Sequence, residues 1–255
     1  EINIQNNQQK ITLQVMKDQY NIALVTGAPN YNTKVLKNYF KKKDNTLVDH
    51  YVVNSNNFNQ DIKSFLEKKY DVIIFDNNPV LSSAKKWDSI TRVFAKKLLS
   101  HNSSFFIVPG PETEIKSINR YLKIIDLEAN VLSNNAPDNK KWEFLNIWNS
   151  LSSINKEYQF SSASYPPQSP LFQLLNNFED QEKGIYAKYI DSEKINPLLV
   201  LGEKKLIRYA VWNSINLSSL KYMLADSDLE FLFENSLKKI TNWLMKKNDN
   251  SEFIF

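Results

Sequence analysis

Between positions 21 and 29 the chain reads Asn21-Ile22-Ala23-Leu24-Val25-Thr26-Gly27-Ala28-Pro29. Residues 22–25 form an uninterrupted apolar run, and a turn sequence follows at once. Such a run is typical of a strand buried on both faces, as strands of parallel sheets are. Beyond the turn, apolar residues recur at helical spacing, which predicts a helix packed on that strand; they are Val35, Leu36, Tyr39 and Phe40.

The alternation of strand and helix is repeated along the first half of the chain. Further strands are predicted at residues 47–53, 72–75 and 105–108. Apolar spacing predicts helices around residues 62–66, 90–98 and 115–125, the first with Asn59 as its N-cap. Short links between such units indicate βαβ connections, whose right-handed crossovers place helices on both faces of a sheet. The sequence therefore predicts an α/β fold with a doubly wound, mostly parallel sheet of the flavodoxin-like or Rossmann-like kind.

The remaining segments predict a short β segment before this domain and an irregular insertion within it. Apolar residues alternate in residues 1–18, which we interpret as an extended tail of an upstream β module or a linker. The α/β domain then spans residues 19–255. Between about residues 130 and 194, Ser, Asn and Pro accumulate, with one local helix predicted by Trp142, Phe144, Leu145 and Trp148.

Regular patterns return near the C-terminus. Two apolar runs, at residues 198–201 and 206–212, predict a β-hairpin with its turn at residues 202–205. Residues 253–255 are predicted to form a final strand. A last long helix is predicted before them by the apolar residues Leu229, Phe233, Leu237, Ile240 and Leu244.

The composition excludes several functional classes. The chain has no cysteine, so disulfides, thiolate zinc sites and cysteine nucleophiles are excluded. No apolar run approaches the ~20 residues that a membrane span requires. The net charge is only +4, and the lysines lie in short scattered groups, which does not favour nucleic-acid binding. A hydrophobic content of 42% is enough for a core and argues against disorder.

Ligands of open α/β sheets bind at the carboxyl ends of the strands, so the loops there are the place to seek chemistry. The loop at residues 26–30 has one glycine and neither a dinucleotide fingerprint nor a phosphate-binding lysine, so no cofactor is predicted. It is interpreted as a turn into a helix capped by Asn30, Asn32 or Thr33.

The loop after the fourth strand bears on catalysis. A nucleophile elbow places Ser or Cys on a strained turn between small residues. Here the chain reads Val108-Pro109-Gly110-Pro111-Glu112-Thr113-Glu114, so prolines flank the central glycine and the nearest hydroxyl belongs to Thr113. Pro111 is predicted in the first turn of a helix, with Glu112 and Glu114 complementing its dipole. No catalytic residue is predicted from this segment.

Four residues remain as candidates for contact with a ligand or partner: Asn30, Asp76, Asn77 and Glu112. Asp76 is the strongest because it ends a predicted strand at the ligand edge, although Asp76-Asn77-Asn78-Pro79 is also a good turn sequence. The two histidines, His50 in a strand and His101 at a helix end, have no metal-ligand spacing, so no metal site is predicted.

The order of segments resembles the class I glutamine amidotransferase-like domains of large bacterial membrane proteins that carry von Willebrand factor A or immunoglobulin-like modules. The similarity covers most of residues 11–255. Its motifs are Val15-Met16-Lys17-Asp18-Gln19-Tyr20 leading into residues 21–29, then Thr33-Lys34-Val35-Leu36-Lys37, Tyr70-Asp71-Val72-Ile73-Ile74-Phe75-Asp76, Pro197-Leu198-Leu199, Ile207-Arg208-Tyr209-Ala210 and Asn242-Trp243-Leu244-Met245.

The resemblance implies a flavodoxin-like core in a parent chain with membrane segments elsewhere. Enzymes of that superfamily use an elbow cysteine and a histidine partner, and this chain has Pro109-Gly110-Pro111 at the elbow. We therefore expect a non-catalytic scaffold or interaction domain, with partners in the cell envelope or in other modules of the same chain. The expected location is the periplasmic part of a membrane-anchored protein, with the cytoplasm as the alternative. The alternative function is a small-molecule binder or hydrolase that uses the strand-end loops.

Overall fold

One nine-stranded sheet dominates the computed structural model. The structure describes residues 19–54, 57–58, 62–80, 84–132, 139–145, 165–175, 184–190, 196–225, 227 and 229–245. The strands are β1 (Tyr20–Thr26), β2 (Thr46–Asn54), β3 (Asn57–Phe58), β4 (Val72–Asp76), β5 (Ser104–Val108), β6 (Ala129–Val131), β7 (Trp142–Phe144), β8 (Phe172–Leu174), β9 (Ile185–Tyr189), β10 (Pro197–Lys204) and β11 (Ile207–Trp212). The order of strands in the large sheet is β3-β2-β1-β4-β5-β11-β10-β9-β7.

The centre of the sheet is parallel, as the sequence predicts. Strands β2, β1, β4, β5 and β11 run in the same direction, and the register aligns Thr26 with Asp76 and Asp76 with Val108. Counted along the chain, these five strands lie in the order 2-1-3-4-5, which is the flavodoxin-like order. The predicted fold class is thereby confirmed.

Helices cover both faces of the sheet because the strand side chains alternate between the faces. The helices are α1 (Tyr31–Lys41), α2 (Ile62–Glu67), α3 (Ala84–His101), α4 (Ile115–Leu122), α5 (Ser219–Tyr222) and α6 (Leu232–Met245), and a 3-10 turn spans Lys123–Ile125. On one face Ile22 and Leu24 belong to the core with α1 and α6, and on the other face Ala23 and Val25 belong to the core with α2, α3 and α4.

The segment at residues 130–194 adds strands to the sheet. Strands β9 and β7 continue it in antiparallel fashion beyond β10, and β8 pairs with β6 in a separate ribbon. The local helix predicted around Trp142 is wrong, since Trp142 lies in β7 opposite Tyr189. Trp142 is buried, stacks on Tyr165 with ring centroids 4.7 Å apart and donates to the Pro166 carbonyl at 2.8 Å. Strand pairing and burial of this ring outweigh the helical spacing of the local sequence.

The predicted C-terminal hairpin is confirmed, but its turn is displaced. Residue Gly202 lies inside β10 opposite Tyr209, where a Cβ atom would lie 2.3 Å from the Tyr209 hydroxyl oxygen. The turn consists of Lys205 and Leu206, with φ of 46° and 67°. Positive φ at both central residues is the conformation that matches the twist of a two-residue hairpin.

Helix boundaries follow the capping residues. Asn30 caps α1, as expected, and forms a capping box with Thr33. The placement of Pro111 in a helix is wrong, because α4 begins at Ile115 and Glu114 is its N-cap. Pro111 and Glu112 occupy the preceding turn.

The last helix spans Leu232–Met245 and contains the predicted apolar residues except Leu229, which precedes it. His101 ends α3 and His50 lies in β2, both as predicted. The predictions for residues 1–18, Asn59, Trp148 and residues 253–255 fall outside the described residues. Within the described ranges, no helix combines the length and apolar character needed to cross a membrane.

Replacing Leu206 with glycine is expected to raise the free energy of unfolding by about 0.5–1 kcal/mol. The left-handed conformation strains an L-residue by roughly 1–2 kcal/mol, which exceeds the entropic disadvantage of glycine. Urea unfolding measures the change. Leu206→Ala removes the same exposed side chain but keeps the strain, so equal stabilisation by both variants would contradict this explanation.

Candidate functional site

The loops that follow β1, β4 and β5 interlock at the carboxyl edge of the sheet. The Gly27 amide donates to the Asp76 carbonyl at 3.1 Å, and the Asn77 amide donates to the Val108 carbonyl at 2.9 Å. A β-bridge joins Val80 to Thr113. Backbone hydrogen bonding thus continues past the strand ends and ties the three loops together.

Asp76 ends β4 beneath this edge and is fully buried. Its Oδ2 accepts hydrogen bonds from the hydroxyls of Thr33 at 2.5 Å and Thr26 at 2.9 Å, whereas its Oδ1 has no hydrogen-bond partner among the described residues. Burial raises the pKa of Asp76 to about 6, although the hydrogen bonds from Thr33 and Thr26 act in the opposite direction. Desolvation of the charged form is therefore the dominant influence.

His50 reaches the same group through Thr26. The hydroxyl of Thr26 lies 3.0 Å from His50 Nε2, and it donates its only hydrogen to Asp76. The hydroxyl must then accept from His50, so the neutral ring carries its proton on Nε2. Burial, together with the positive charges of Lys37 and Lys41, lowers the pKa of His50 to about 4. A chain of two hydrogen bonds connects His50 with Asp76, but Thr26 is fully buried and is not placed to act as a nucleophile.

Asn77 is the side chain that joins the loops. Its backbone has a positive φ of 43°, which directs the side chain between the loops after β1 and β5. Its Nδ2 donates to the Ala28 carbonyl at 2.8 Å. Its Oδ1 accepts from the Thr113 hydroxyl at 3.1 Å and the Glu112 amide at 3.2 Å. Asn77 is 1% exposed, so this amide serves as internal packing.

Position 110, at the centre of the turn after β5, has no room for a side chain. A Cβ atom built on Gly110 would lie 2.4 Å from Cγ of Asn77, a distance that a real side chain cannot adopt. The nearby Thr113 hydroxyl accepts from the Gly110 amide at 2.9 Å and donates to Asn77, and Thr113 is itself buried. The Thr113 hydroxyl therefore already acts as an acceptor to Gly110 and as a donor to Asn77.

A buried amide follows β11, the strand that pairs with β5. Strand β11 pairs with β5 and leads into Asn213 and Ser214. The Asn213 side chain is buried, donates to the Phe172 carbonyl at 2.7 Å and accepts from the Phe172 amide at 3.3 Å. Asn213 thus fastens β8 against the end of β11.

A further buried amide connects α1 with the loop after β11. Asn32 Nδ2 donates to the Ile215 carbonyl at 2.9 Å, and its Oδ1 accepts from the Ser218 amide at 2.9 Å. This pair of bonds places the start of α1 beside α5. The sequence pattern indicates Asn32 only as a possible cap and does not indicate Asn213 at all. No local pattern marks a side-chain amide whose hydrogen-bond partners are remote in the chain.

The four predicted contact residues occupy one edge but differ in accessibility. Asn30 is half-buried and bonds to Thr33, which in turn bonds to Asp76. Glu112 is exposed, and its amide bonds to Asn77. A partner protein cannot reach Asp76 or Asn77 unless the loops open. Their role in ligand or partner contact stays a prediction.

The fold and the site together define a flavodoxin-like α/β domain with closely packed strand-end loops. Among the described residues, no group of three His, Cys, Asp or Glu side chains is arranged to hold a metal ion. No family model matches the sequence, and no curated protein matches it with significance.

Two solved structures are similar in backbone. One is a provisionally assigned GMP synthase subunit from Thermoplasma acidophilum, with a TM-score of 0.45 and 10% identity over 89% of this chain and 100% of that chain. The other is Agd3, a carbohydrate deacetylase, with a TM-score of 0.45 and 8% identity over 89% of this chain and 32% of that chain. Both likenesses are remote, and neither assigns a reaction or a partner to this chain.

Asp76 and His50 are expected to make the free energy of unfolding depend on pH in opposite directions. The pKa of Asp76 is raised from 3.8 to about 6, so its contribution is present at low pH and is lost as pH rises from about 4 to about 6. Two pKa units correspond to about 3 kcal/mol. The pKa of His50 is lowered from 6.5 to about 4, so its contribution is present above pH 6.5 and is lost as pH falls toward 4.

The variant Asp76→Asn should therefore raise the free energy of unfolding by up to about 3 kcal/mol at neutral pH and change it little near pH 4. His50→Gln should show the opposite pattern, because its gain over the unaltered protein appears as pH falls toward 4 and disappears above pH 6.5. Urea unfolding across this pH range measures both. Parallel profiles for Asp76→Asn and the unaltered protein would refute the ionisation assigned to Asp76.

The packing role of Asn77 predicts that Asn77→Gly lowers the free energy of unfolding by about 2–4 kcal/mol. Glycine tolerates the positive φ, so the loss isolates the hydrogen bonds left without a partner, each worth about 1–3 kcal/mol when buried. Asn102→Gly is the matched control, since Asn102 is exposed and also has a positive φ of 50°. Equal losses in urea unfolding for the two variants would rule out the joining role of Asn77.

Proposed function

We propose that this chain is a non-catalytic protein-interaction domain of a larger membrane-associated protein, built on a scaffold resembling glutamine amidotransferases. The observation that carries the proposal is the contact between Gly110 and Asn77. The elbow position has no side chain, and the space for one is filled by an amide that hydrogen-bonds both neighbouring loops. A domain under selection for elbow chemistry would keep that space open.

The positions of the histidines also support a non-catalytic role. An activated nucleophile needs a base within about 2.6–3.2 Å, or somewhat further before substrate binds. His50 lies in β2, three strand spacings from β5, which corresponds to ~14 Å at ~4.8 Å per spacing. His101 ends α3, at the opposite edge of the sheet from the loop after β5. The sequence has two histidines, so neither can serve the turn at Gly110.

The alternative, a small-molecule binder or hydrolase at the strand-end loops, finds less support. It requires an accessible cleft around Asn30, Asp76 and Glu112, and Asp76 lies buried beneath loops that hydrogen-bond one another. Several buried atoms at this edge favour the alternative, because a bound group could pair with them. Asp76 Oδ1, Asn30 Nδ2 and both side-chain polar atoms of Asn78 lack hydrogen-bond partners among the described residues.

The proposed setting is the cell envelope, with partners there or in other modules of the parent chain, and the periplasmic side is preferred to the cytoplasm. This setting rests on the resemblance in the segment order. The use of loop residues for internal packing agrees with a domain that acts through its outer surface.

The purified domain is expected to release no glutamate from glutamine and to hydrolyse no activated ester faster than buffer does. Coupled glutamate detection and nitrophenol absorbance provide the two measurements. Thr113→Ala is the control, because it removes the hydroxyl nearest the turn. Saturable turnover that disappears in Thr113→Ala would contradict the proposal.

An interaction role also has a positive test. Crosslinking in native membranes, followed by mass spectrometry, should recover defined envelope proteins with the tagged domain. A recovered protein counts as a partner when the two purified components bind each other directly.

A further inference from the structure

One face of α1 carries several lysines and no acidic residue of its own. At 100° per residue, Lys34, Lys37 and Lys41 fall, together with Tyr31, within one-third of the helix circumference. We call the surface formed by these three lysines the lysine face. Tyr31, Lys34 and Lys41 are exposed and Lys37 is half-buried. The opposite face of α1 is buried through Val35, Leu36, Tyr39 and Phe40.

The charge concentrated here is large for this protein. Residues 31–43 contain five lysines and no acidic residue, giving +5, whereas the whole chain has a net charge of +4 from 32 basic and 28 acidic residues. Sequence spacing alone indicated scattered lysine groups. Helix α1 aligns three of the five on one side.

The alignment of these lysines lowers the stability of helix α1. Lys34 and Lys37 lie three positions apart, and Lys37 and Lys41 lie four positions apart, where like charges destabilise a helix by about 0.2–0.5 kcal/mol per pair. The lowered pKa of His50, to which Lys37 and Lys41 contribute after burial, reports the same positive potential. Burial, and then the charge of Lys238 on α6, lowers the pKa of Lys43, whereas Glu234 on the same helix acts in the opposite direction. The positive face is therefore centred on α1, and the neighbouring helix carries charges of both signs.

Exposed aromatic and methionine side chains adjoin the lysine face. Tyr31 is 72% exposed and packs edge-to-face against Tyr222, which is 48% exposed, with ring centroids 5.9 Å apart. Met223, the next residue in the chain, is 66% exposed. The bonds of Asn32 to Ile215 and Ser218 hold α5 in this position.

We propose that the lysine face, with Tyr31, Tyr222 and Met223 at one end, docks an acidic segment of a partner protein. This inference rests on the proposed interaction function and specifies its surface. Charge complementarity sets the sign of the partner, and aromatic and methionine side chains are enriched at protein interfaces. All cations of residues 31–43 are lysines, which act as point charges and attract carboxylates and phosphates alike. The exposed aromatic and methionine side chains at one end of the face are of the kinds enriched at protein interfaces, and they favour an acidic protein segment over nucleic acid or phospholipid headgroups.

The variant Lys37→Glu should weaken docking without destabilising the fold. A glutamate at position 37 precedes Lys41 by four residues, an attractive pair in the favourable orientation, so the fold should be as stable as before or slightly more stable. The matched control is Lys96→Glu, because Lys96 is exposed on α3, which covers the opposite face of the sheet. Tyr31→Ala tests the aromatic end, with Leu99→Ala on α3 as its control.

The probe is a fluorescent synthetic peptide of alternating glutamate and leucine, titrated by anisotropy at low ionic strength. Binding should weaken steeply with added salt and fall roughly tenfold or more in Lys37→Glu, with a smaller loss in Tyr31→Ala and no change in either control. Parallel titrations use phosphatidylserine vesicles and a single-stranded oligonucleotide.

Three results would overturn the inference. They are absence of peptide binding at low salt, equal loss in Lys37→Glu and Lys96→Glu, and tighter binding of the vesicles or the oligonucleotide than of the peptide. None of these results bears on turnover at Gly110. Failure of the docking surface and failure of the non-catalytic assignment are therefore distinguishable.

Discussion

The packing of the loops at the carboxyl ends of the strands depends on one side-chain amide. Asn77 follows β4 with a positive φ and spans the loops after β1 and β5 through bonds to Ala28, Glu112 and Thr113. Two glycines permit its position, since a Cβ atom at Gly27 would lie 2.2 Å from the Asn77 carbonyl oxygen and one at Gly110 would meet the Asn77 side chain. The same contacts that hold the loops also exclude a side chain from position 110 in the turn after β5.

Two ionisable side chains beneath that edge, Asp76 and His50, have shifted pKa values. Asp76 is held by two threonine hydroxyls without an opposite charge among its hydrogen-bond partners in the described residues, so desolvation governs its ionisation. His50 is linked to it through Thr26 and is kept neutral by burial and by the lysines of α1. Lys37 and Lys41 therefore have two effects. They form part of the exposed lysine face, and their positive charges help to keep the buried His50 neutral.

The sequence predicted the parts of the fold that depend on local pattern. The apolar runs of β1, β4 and β5 are nearly continuous because both faces of those strands are covered, and that pattern is visible without a structure. The Asn30 cap was also predictable, because a capping residue acts on amides two and three positions away. The helix expected at Trp142 failed for the opposite reason. Its strand is stabilised by pairing with β9 and by stacking on Tyr165, both remote in the chain.

By itself the sequence determined the α/β class, the alternation of the central strands with helices, and the absence of cysteine chemistry, since these follow from periodicity and composition. It also directed attention to Asp76 and Asn77, because strand ends are recognisable. Only the tertiary structure decided that these two side chains point inward, that Asn32 and Asn213 join distant loops, and that α1 sets its lysines beside Tyr222. The physical reason is that the burial of a polar side chain depends on partners brought together by the sheet, and local pattern carries no record of those partners.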